Sequence, residues 1–558
     1  MEDVSNKAFE ISDHFLCLIL ALAFSSSFYY METGGCVISL SFIMTSIVTF
    51  GVFSLVTWML RTKLINQECC WQKKNKISKF MEKKYHLLII WGIILAFWVP
   101  IFILLYPGTI INDSWGQLQQ YMSFVANGSL KKGVLYDHHP IFDTLYMGIL
   151  IVPLAETTGK WHIIMFLYVL LQAVFTSFSF ACTIDYAYRK LQIGTNILVL
   201  MLGVYCILPI YPASVQTISK DALFAWIYVL FFLYYIEIVR SKGEALKKRK
   251  HVIGFIVISI LCCLTKKVGI YVVEISLLFI FIFQRTNKKK ILLSIVCVSC
   301  FMFGVMPAIK TELGVQNGGK QEMFSIPFQQ TARYVKYHRD DITEEEYKVI
   351  DKLLDMKDLA ERYDPTSADP VKGYVERGTS KDYIDYIKVW FSQGIRHLET
   401  YIAAFNAMEA GWFSWYEYKP LMNMNWHDQL NSSMIPEWVS VRGESFSRLA
   451  QEYEKMFDNL YENPILKIFF SYGLYASLVP AFAFGTVIRK WRKKDVKYWL
   501  ALIPMMLSIV LGCWLSPVST NIEGVRYLYP ITYTTPLIIV WCVYIYKRNC
   551  TNNIKKEV

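Results

Sequence analysis

An acidic residue follows closely after a long apolar segment that ends near residue 106. Asp113 lies in Asn112–Asp113–Ser114, within about two helical turns of the end of the apolar run 87–106. A carboxylate at a membrane boundary is desolvated, which raises its pKa and makes it a better general base. Asn, Asp and Ser also cap helices well, so a capping role is the alternative. We predict that Asp113 is a catalytic base, in preference to Asp137, Asp143, Asp221 and Glu523.

Two adjacent histidines occur later in the same loop, in Tyr136–Asp137–His138–His139–Pro140. Adjacent positions make a poor metal chelate by themselves, and hydrogen bonding within the loop is the structural alternative. From the residues alone, His138 and His139 carry no functional assignment.

Positively charged residues recur at the predicted outer ends of later apolar segments. They occur in Ser219–Lys220–Asp221, Thr265–Lys266–Lys267 and Glu523–Gly524–Val525–Arg526–Tyr527. Lys and Arg are normally concentrated in inside loops, so cations at outer ends need an explanation. One alternative to a binding role is that these side chains extend towards lipid headgroups. Several cations beside a carboxylate suit a phosphate-bearing lipid, which Arg526 can grip with its planar fork. The predicted substrate-binding residues are therefore Lys220, Asp221, Lys266, Lys267, Arg526 and Tyr527.

The composition is typical of a membrane protein. Of the 558 residues, 54% are hydrophobic and only 18% are charged. Apolar runs of about 20 residues, the length that crosses a bilayer, alternate with short loops rich in Lys and Arg. The net charge of +12 does not indicate nucleic-acid binding, because the basic residues form no patch interleaved with aromatic side chains.

The apolar runs predict an all-α polytopic protein with about twelve transmembrane helices. The predicted spans are 14–30, 37–60, 87–106, 162–186, 195–212, 222–239, 252–265, 268–284, 291–308, 466–488, 498–516 and 527–546. Thr265–Lys266–Lys267 interrupts the stretch 251–285. The run 141–155 is too short to span comfortably, so we predict a helix that lies along the outer interface.

The positions of the basic clusters predict the orientation. With the amino terminus inside, every basic cluster falls in an inside loop. These loops are 61–86, 187–194, 240–251, 285–290, 489–497 and 547–558. If 141–155 crossed the membrane, all later loops would change sides and most clusters would lie outside. The charge pattern therefore favours an interfacial helix.

This orientation predicts four regions. Residues 1–86 form an amino-terminal hairpin with a basic loop, and residues 87–308 form a transmembrane core that contains the first outside loop, 107–161. Residues 309–465 form an extracytoplasmic insert, and residues 466–558 form the carboxy-terminal helices with a basic tail. The insert is predicted to be mainly helical, since Thr343 and Glu346 have capping-box spacing. Its predicted apolar faces are Tyr347, Ile350, Leu353 and Leu354, and then Tyr383, Ile387 and Trp390.

None of the thirteen cysteines lies in 309–465, so the predicted outside insert has no disulfide framework. This absence suits a Gram-positive cell surface better than a eukaryotic lumen. The first apolar run is predicted to remain as an anchor, because Glu2, Asp3, Glu10 and Asp13 contradict the basic start of a cleavable signal.

The order of these features resembles the GT-C superfamily of integral membrane glycosyltransferases. The shared features are a span, an outside Asp loop, a His-Pro interfacial helix, further spans and a late Arg-Tyr boundary. The hairpin 14–60 lies outside that resemblance. Most of residues 87–540 also resembles an uncharacterised family of Gram-positive membrane proteins, which is expected to have Arg-Asn or Asn-Asn in place of Lys266–Lys267. The segments that carry this second resemblance are Tyr106–Pro107–Gly108–Thr109, His138–His139–Pro140, Ser219–Lys220–Asp221, Gly269–Ile270–Tyr271 and Ser325–Ile326–Pro327–Phe328–Gln329–Gln330.

The GT-C resemblance implies transfer of a sugar from a polyprenyl-phosphate carrier to a cell-envelope glycan or glycolipid outside the cell membrane. Asp113 would take the proton of the acceptor hydroxyl, and attack at the anomeric carbon would invert its configuration. Arg526, Lys220 and His138 or His139 would stabilise the departing phosphate. A divalent metal ion near Asp113 is compatible with the resemblance but is not required by it, so neither a metal ligand nor a cofactor is assigned.

Two other classes of function remain open. A transporter or flippase of lipid-linked sugars would also use outward cations and many helices, although the basic loops show no clear inverted repeat. A noncatalytic scaffold for envelope synthesis would bind lipid phosphate without turnover. Formation of a new glycosidic bond in detergent distinguishes the transferase from both.

Overall fold

Helices account for nearly all of the regular structure. The computed structural model describes residues 11–33, 35, 38–66, 74–126, 135–373, 376–414, 466–488, 498–516 and 522–557, with isolated positions between 448 and 464. The predicted inside loop 489–497 lies outside the described residues. Within the described ones, the sheets are two parallel pairs of two-residue strands. The prediction of an all-α membrane protein is confirmed.

The amino-terminal hairpin consists of α1 (Ile11–Thr33) and α2 (Leu40–Asn66). A fully buried ion pair joins the two helices, since Arg61 Nη2 lies 2.6 Å from Asp13 Oδ1. Arg61 also donates to the hydroxyl of Tyr546, near the carboxyl end of the chain. The hairpin is therefore packed into the main bundle by polar contacts that are buried and paired.

The main bundle follows the hairpin. Its helices are α3 (Lys76–Met81), α4 (His86–Leu104), α5 (Asn112–Ala126), α6 (Ile141–Thr158), α7 (Trp161–Arg189), α8 (Thr195–Ile207), α9 (Ile210–Val215), α10 (Lys220–Arg240), α11 (Arg249–Thr265), α12 (Lys267–Phe283) and α13 (Lys288–Glu312). The strands between these elements, and just after α13, are β1 (Thr109–Ile110), β2 (Tyr136–Asp137), β3 (Thr217–Ile218) and β4 (Gln316–Asn317).

The insert and the carboxy-terminal part complete the fold. The insert contains α14 (Ser325–Tyr337), α15 (Glu344–Asp351), α16 (Leu359–Arg362), α17 (Asp369–Lys372), α18 (Ser380–Arg396) and α19 (Leu398–Glu409). The last helices are α20 (Leu474–Ile488), α21 (Tyr498–Trp514) and α22 (Tyr529–Glu557). Single 3₁₀ turns occur at Glu244–Lys247, Lys320–Phe324, Arg339–Asp341, Ala410–Phe413, Leu466–Phe470 and Ile522–Leu528.

Eight helices in the described part of the chain are long and apolar enough to cross a membrane. They are Ser12–Tyr30, Leu40–Thr62, His86–Leu104, Ile141–Thr158, Trp161–Arg189, Lys220–Arg240, Lys288–Glu312 and Gly524–Tyr546. Shorter apolar helices at Thr195–Ile207, Leu474–Ile488 and Tyr498–Trp514 coincide with three further predicted spans. Each of α11 and α12 has 17 residues. A membrane protein is thus shown, whereas the total of twelve spans stays a prediction.

Helices α4 and α7 run antiparallel along their whole length. Near one end, His86 Nε2 lies 2.6 Å from Asp185 Oδ1. Near the other end, the rings of Tyr106 and His162 lie 6.2 Å apart. The start of α7 is therefore level with the end of α4, the end that leads into the first predicted outside loop.

Helix α6 both begins and ends near that same level. His139, two residues before the helix begins, lies 3.9 Å from Asp113. The ring of Trp161, three residues after the helix ends, lies 6.2 Å from the ring of Trp115. Helix α6 satisfies the length and composition of a span, but it does not carry the chain to the other end of the α4–α7 pair. This path supports the predicted interfacial helix.

The insert has a hydrophobic core of its own, in which α14, α15 and α18 meet. Thr343 and Glu346 form the predicted capping box at the start of α15. Ile350 and the two leucines after it are buried as predicted, but Tyr347 is exposed. That prediction is wrong because the first turn of this short helix faces solvent.

The second predicted apolar face of the insert is also partly wrong. Tyr383 is buried and Trp390 is half-buried, but Ile387 is exposed. The buried face of α18 continues through Tyr386 instead, one residue earlier. Ile387 belongs to a separate exposed apolar face that also contains Ile384, Phe391 and Ile395.

Candidate functional site

A pair of short parallel strands brings two distant segments together. Strand β1 pairs with β3, so that Thr109 faces Thr217 and Ile110 faces Ile218. Gln172 of α7 donates to the carbonyl oxygen of Thr217 at 3.0 Å, which fixes this pair against the bundle. Because the strands are parallel, the helices that follow them, α5 and α10, begin side by side.

Gly108 permits the close approach of these strands. Its φ is +101°, a conformation that favours glycine. A Cβ at this position would lie 2.5 Å from a methyl carbon of Val169 and 3.0 Å from the carbonyl oxygen of Gln216. The same carbonyl accepts a hydrogen bond from the N–H of Thr109 at 3.1 Å. The turn before α5 therefore requires glycine, and it sets the position of the acidic residue that follows.

Asp113 lies at the centre of a charged cluster. Lys220 Nζ and Arg526 Nη1 donate to the same oxygen, Asp113 Oδ2, at 3.0 and 2.7 Å. The other oxygen, Oδ1, lies 3.9 Å from His139 Nε2, and His139 Nδ1 is 2.8 Å from Lys220 Nζ. The carboxylate is thus occupied by cations, and the described part of the chain gives it no capping bond to a backbone N–H.

A layer of buried side chains lies beneath the Asp113 cluster and contacts Arg526. Asp221 is fully buried and forms an ion pair with Lys266 at 2.7 Å. Its other oxygen lies 3.7 Å from Arg526 Nε. The ring of Tyr527 lies 5.0 Å from Lys266 Nζ and 5.4 Å from the guanidinium carbon of Arg526. Arg526 therefore connects the carboxylates of Asp113 and Asp221, in the manner expected for a planar cation with several donors.

The helix break predicted between residues 265 and 267 occurs at Lys266, whose backbone is extended between α11 and α12. Gly269 allows the helices to approach there, since a Cβ would lie 2.3 Å from the carbonyl oxygen of Cys262. The break sends the two lysines in different directions. Lys266 reaches the buried layer, and Lys267 reaches Asp137.

A second cluster, the rim cluster, surrounds Asp137. Lys267 donates to the carbonyl oxygen of Asp137 and lies 3.9 Å from Oδ1, while Lys310 lies 2.7 Å from Oδ2. Strands β2 and β4 hold Asp137 beside the segment that enters the insert. His138 links the two clusters, because its ring packs edge-to-face at 4.5 Å on that of His139.

The structure brings together every site residue predicted from the sequence. Asp113, His139, Lys220, Asp221, Lys266, Arg526 and Tyr527 form the central cluster, and His138 and Lys267 lie towards the rim. Sequence reasoning missed Lys310 and assigned no binding role to Asp137. Lys310 is a cation just beyond the predicted outer end of span 291–308, so the signal that marked Lys220 could have found it.

The charge state of Asp113 differs from the expectation. Burial alone would raise the pKa of Asp113, but the positive charges of Lys220 and then Arg526 outweigh burial and hold the pKa well below its usual range. The prediction of a raised pKa is therefore wrong for the protein without substrate. A carboxylate with such a low pKa is a weak base while both cations remain attached.

Both histidines of the site are neutral near pH 7. Burial and the neighbouring Lys220 lower the pKa of His139 well below its usual range. Burial also lowers the pKa of His138. The imidazoles therefore supply hydrogen bonds and no positive charge.

The two clusters together carry more positive than negative charge. The cations are Lys220, Lys266, Lys267, Lys310 and Arg526, and the carboxylates are Asp113, Asp137 and Asp221. Five cations against three carboxylates leave a formal surplus of two positive charges among these described side chains. Lysine and arginine at this density can bind a phosphate group through charge-assisted hydrogen bonds.

The structure also contains one group of residues with suitable spacing for a metal ion among those it describes. His338, His397 and Glu399 of the insert have ligand atoms within 4.8 Å of one another. None of these residues belongs to the Asp113 or rim cluster. A metal ion near Asp113 thus stays unassigned.

Long apolar helices and a buried, cation-rich cluster at their ends define this protein as a helical membrane protein with a polar site. The chain belongs to the Family of unknown function (DUF6020), whose family model matches residues 14–556. The match includes the amino-terminal hairpin, which is therefore part of the family architecture. No curated protein and no solved structure matches this chain.

Proposed function

We propose that the protein is a glycosyltransferase of the GT-C type. It transfers a sugar from a polyprenyl-phosphate carrier to a cell-envelope glycan or glycolipid. One observation carries the proposal: Lys220 and Arg526 meet on one oxygen of Asp113, inside clusters with a surplus of positive charge. This arrangement supplies an acid–base group directly beside a phosphate-binding group, which is the combination that the reaction needs.

The donor phosphate competes with Asp113 for the same two cations. Its oxygens can accept the hydrogen bonds that Lys220 and Arg526 now give to Asp113 Oδ2. Once these contacts loosen, burial dominates and the pKa of Asp113 rises. Donor binding thus converts Asp113 from an ion-pair partner into a usable base.

The transfer itself takes one step. Asp113 accepts the proton of the acceptor hydroxyl while that oxygen attacks the anomeric carbon, on the face opposite the phosphate. The bond between the anomeric carbon and the phosphate oxygen breaks, and its electron pair stays on that oxygen. The configuration is inverted, because the new bond forms on the opposite face from the old one.

The leaving polyprenyl phosphate gains a second negative charge, which matches the surplus of two positive charges in the site. Lys220 and Arg526 stabilise this charge as it develops, a contribution that lowers the barrier directly. Asp221 and Lys266 hold Arg526 in place from the buried layer. His139 fixes the ammonium group of Lys220 by a 2.8 Å contact.

The site lies where the carrier lipid places its headgroup. Asp113 follows α4, while Lys220 begins α10 and Arg526 precedes α22, so all three stand at helix ends. With the basic loops in the cytoplasm, these ends face the outside of the cell membrane. The acceptor is accordingly a glycan or glycolipid of the cell envelope.

A reconstituted transfer assay tests the proposal. The full-length protein, purified in detergent, is mixed with synthetic polyprenyl-phosphate sugars and envelope glycans extracted from the host cells. Release of free polyprenyl phosphate together with a new glycosidic product is expected, with no membrane gradient present. Glu399→Gln, an exposed change in the insert, serves as the matched control and should transfer at the wild-type rate.

Two results would overturn the proposal. Movement of a labelled donor across sealed proteoliposomes without any new product would identify a transporter or flippase. Saturable binding of polyprenyl phosphate without turnover of any donor would identify a scaffold.

A further inference from the structure

A cavity lies between the amino-terminal hairpin and the end of the insert, and none of its lining residues belongs to the Asp113 or rim cluster. Its volume is about 310 Å³, and its walls come from α1, α19, the turn after α19 and the end of α21. Ser26 and Tyr30 of α1 face Phe405 and Glu409 of α19, and Trp514 closes one side. Four of its ten lining residues are aromatic, and a concave, mainly apolar space with a few polar groups is the usual form of a small-molecule site.

Two polar groups in the cavity wall lack a hydrogen-bond partner within the described part of the chain. Glu409 is only 5% exposed, and neither of its carboxyl oxygens has a hydrogen-bond partner among the residues that the structure describes. The indole N–H of Trp514 is also buried and has no acceptor within that part of the chain. Buried polar groups are normally satisfied, so two such groups on one cavity wall are available to hydrogen-bond a ligand.

The charge state of Glu409 restricts the ligand further. Burial raises the pKa of Glu409 to about 9. Its carboxyl group is therefore neutral at pH 7 and can both donate and accept a hydrogen bond. The lining residues include no lysine and no arginine that would hold it as a carboxylate.

The two unpaired groups together select one ligand chemistry. An ammonium ion could pair with Glu409, but it has no lone pair for the indole N–H of Trp514. A phosphate or carboxylate could accept from Trp514, but the described residues that line the cavity include no cation to balance its charge. A hydroxyl group both donates and accepts, so neighbouring hydroxyl groups on one ligand satisfy both residues.

We propose that this cavity binds a sugar ring. Phe405, Phe413 and Trp514 provide flat apolar surfaces for the carbon faces of the ring. Glu409 and Asn406 provide hydrogen bonds to its hydroxyl groups, as do the serine and tyrosine hydroxyls of α1. The cavity is the acceptor subsite of the proposed transfer, and this assignment, unlike binding itself, rests on the proposed function.

The inference gives the amino-terminal hairpin a definite role. Ala23, Ser26, Ser27 and Tyr30 of α1 form one wall of the cavity. Ser27 also donates to the carbonyl oxygen of Ala410, which joins this wall to the turn after α19. The hairpin therefore completes a binding site that the rest of the chain would leave open on one side.

Binding of methyl glycosides to the full-length protein tests the inference. Glycosides of glucose, galactose, N-acetylglucosamine and rhamnose are titrated and followed by saturation-transfer NMR. The detergent must lack a sugar headgroup, since a maltoside would compete for the cavity. At least one methyl glycoside should bind the wild type.

Cavity variants separate hydrogen bonding from shape. Glu409→Leu removes the hydrogen bonds and Ala23→Leu fills the space, and each should weaken glycoside binding about tenfold or more. Glu409→Gln keeps a neutral donor and acceptor and should bind within about threefold of the wild type. Glu399→Leu, on the same helix but exposed, is the matched control and should bind as the wild type does. Thermal unfolding of each variant verifies that the fold is retained.

Failure of this inference is distinguishable from failure of the proposed function. If glycosides bind in the cavity but no donor is ever turned over, the sugar site stands and the transferase proposal fails. If transfer occurs while no glycoside binds the wild type, the cavity proposal alone is wrong. Undiminished binding in both Glu409→Leu and Ala23→Leu would also overturn it.

Discussion

Asp113 and Glu409 are carboxyl groups that are at least partly removed from water, but their surroundings give them opposite properties. Asp113 meets Lys220 and Arg526, and its pKa lies well below the usual range. Glu409 has no cation beside it among the described lining residues, and burial raises its pKa to about 9. One carboxyl group is ionised and the other is neutral at pH 7.

The contrast shows that burial alone does not decide what a carboxyl group can do. Desolvation acts on both residues in the same direction, and the supply of cations decides the outcome. A phosphate that draws the cations away would move Asp113 towards the state of Glu409. A cation placed beside Glu409 would have the reverse effect. Asp113, the proposed base, and Glu409, in the proposed sugar site, thus lie at opposite ends of the range of carboxyl pKa values.

The largest expected effect comes from Asp113→Asn. The variant keeps the size of the side chain but cannot accept a proton, so turnover should fall about a hundredfold or more. Because an amide competes less well for Lys220 and Arg526, polyprenyl phosphate should bind at least as tightly as in the wild type. Turnover is measured by product formation and affinity by equilibrium binding. Near-normal turnover, or a joint loss of folding and activity, would contradict the role as base.

Glu409→Gln should stabilise the protein in a pH-dependent way. The folded pKa of about 9 exceeds the ordinary value of 4.5, so the folded state holds the proton more tightly than the unfolded state. Between these two pH values, wild-type stability falls as the pH rises. The variant lacks this loss and should be more stable at pH 7 by about 3 kcal/mol.

Thermal unfolding between pH 5 and pH 8 measures this effect. The difference in Tm between Glu409→Gln and the wild type should grow with pH and nearly vanish towards pH 4.5. Glu399→Gln, on an exposed part of the same helix, should show no such trend. A constant difference across this range would mean that Glu409 is not the buried neutral group described here.

Arg526→Lys should have a smaller effect than loss of the base. A lysine keeps the positive charge, but one ammonium group cannot reproduce the separate contacts of Nη1 with Asp113 and Nε with Asp221. Donor affinity should fall about tenfold, as for loss of a charge-assisted hydrogen bond. Lys310→Gln, in the rim cluster, is the comparison variant and should weaken donor binding by only about threefold. Equal affinity in Arg526→Lys and Arg526→Ala would favour simple extension of Arg526 towards lipid headgroups.

The sequence predicted the membership of the central cluster well because charge at an outer helix end is unusual. Lys220, Lys266 and Arg526 stood out for that reason, and all three meet around Asp113 and Asp221. The break at Lys266 was also visible, since charged residues interrupt an apolar stretch. These signals are local and can be detected without knowledge of the fold.

Properties that depend on distant contacts could not be predicted. The pKa of Asp113 depends on Arg526, which is more than four hundred residues away in sequence. Glu409 resembles any acidic residue at the end of an amphipathic helix, and its burial depends on α1 at the other end of the chain. Ile387 was predicted to be buried, but Tyr386 is buried instead. Helix α18 has two adjacent apolar faces, and periodicity does not show which of them another helix covers.

The origin of Arg526 in the last part of the chain has a consequence for biogenesis. Synthesis and membrane insertion proceed from the amino terminus, so Asp113 and Lys220 are in place long before Arg526 emerges from the ribosome. A nascent or truncated chain that lacks the final helix holds the acidic residue without its second cation. The charged cluster around Asp113 is therefore completed late in synthesis, when residue 526 joins it.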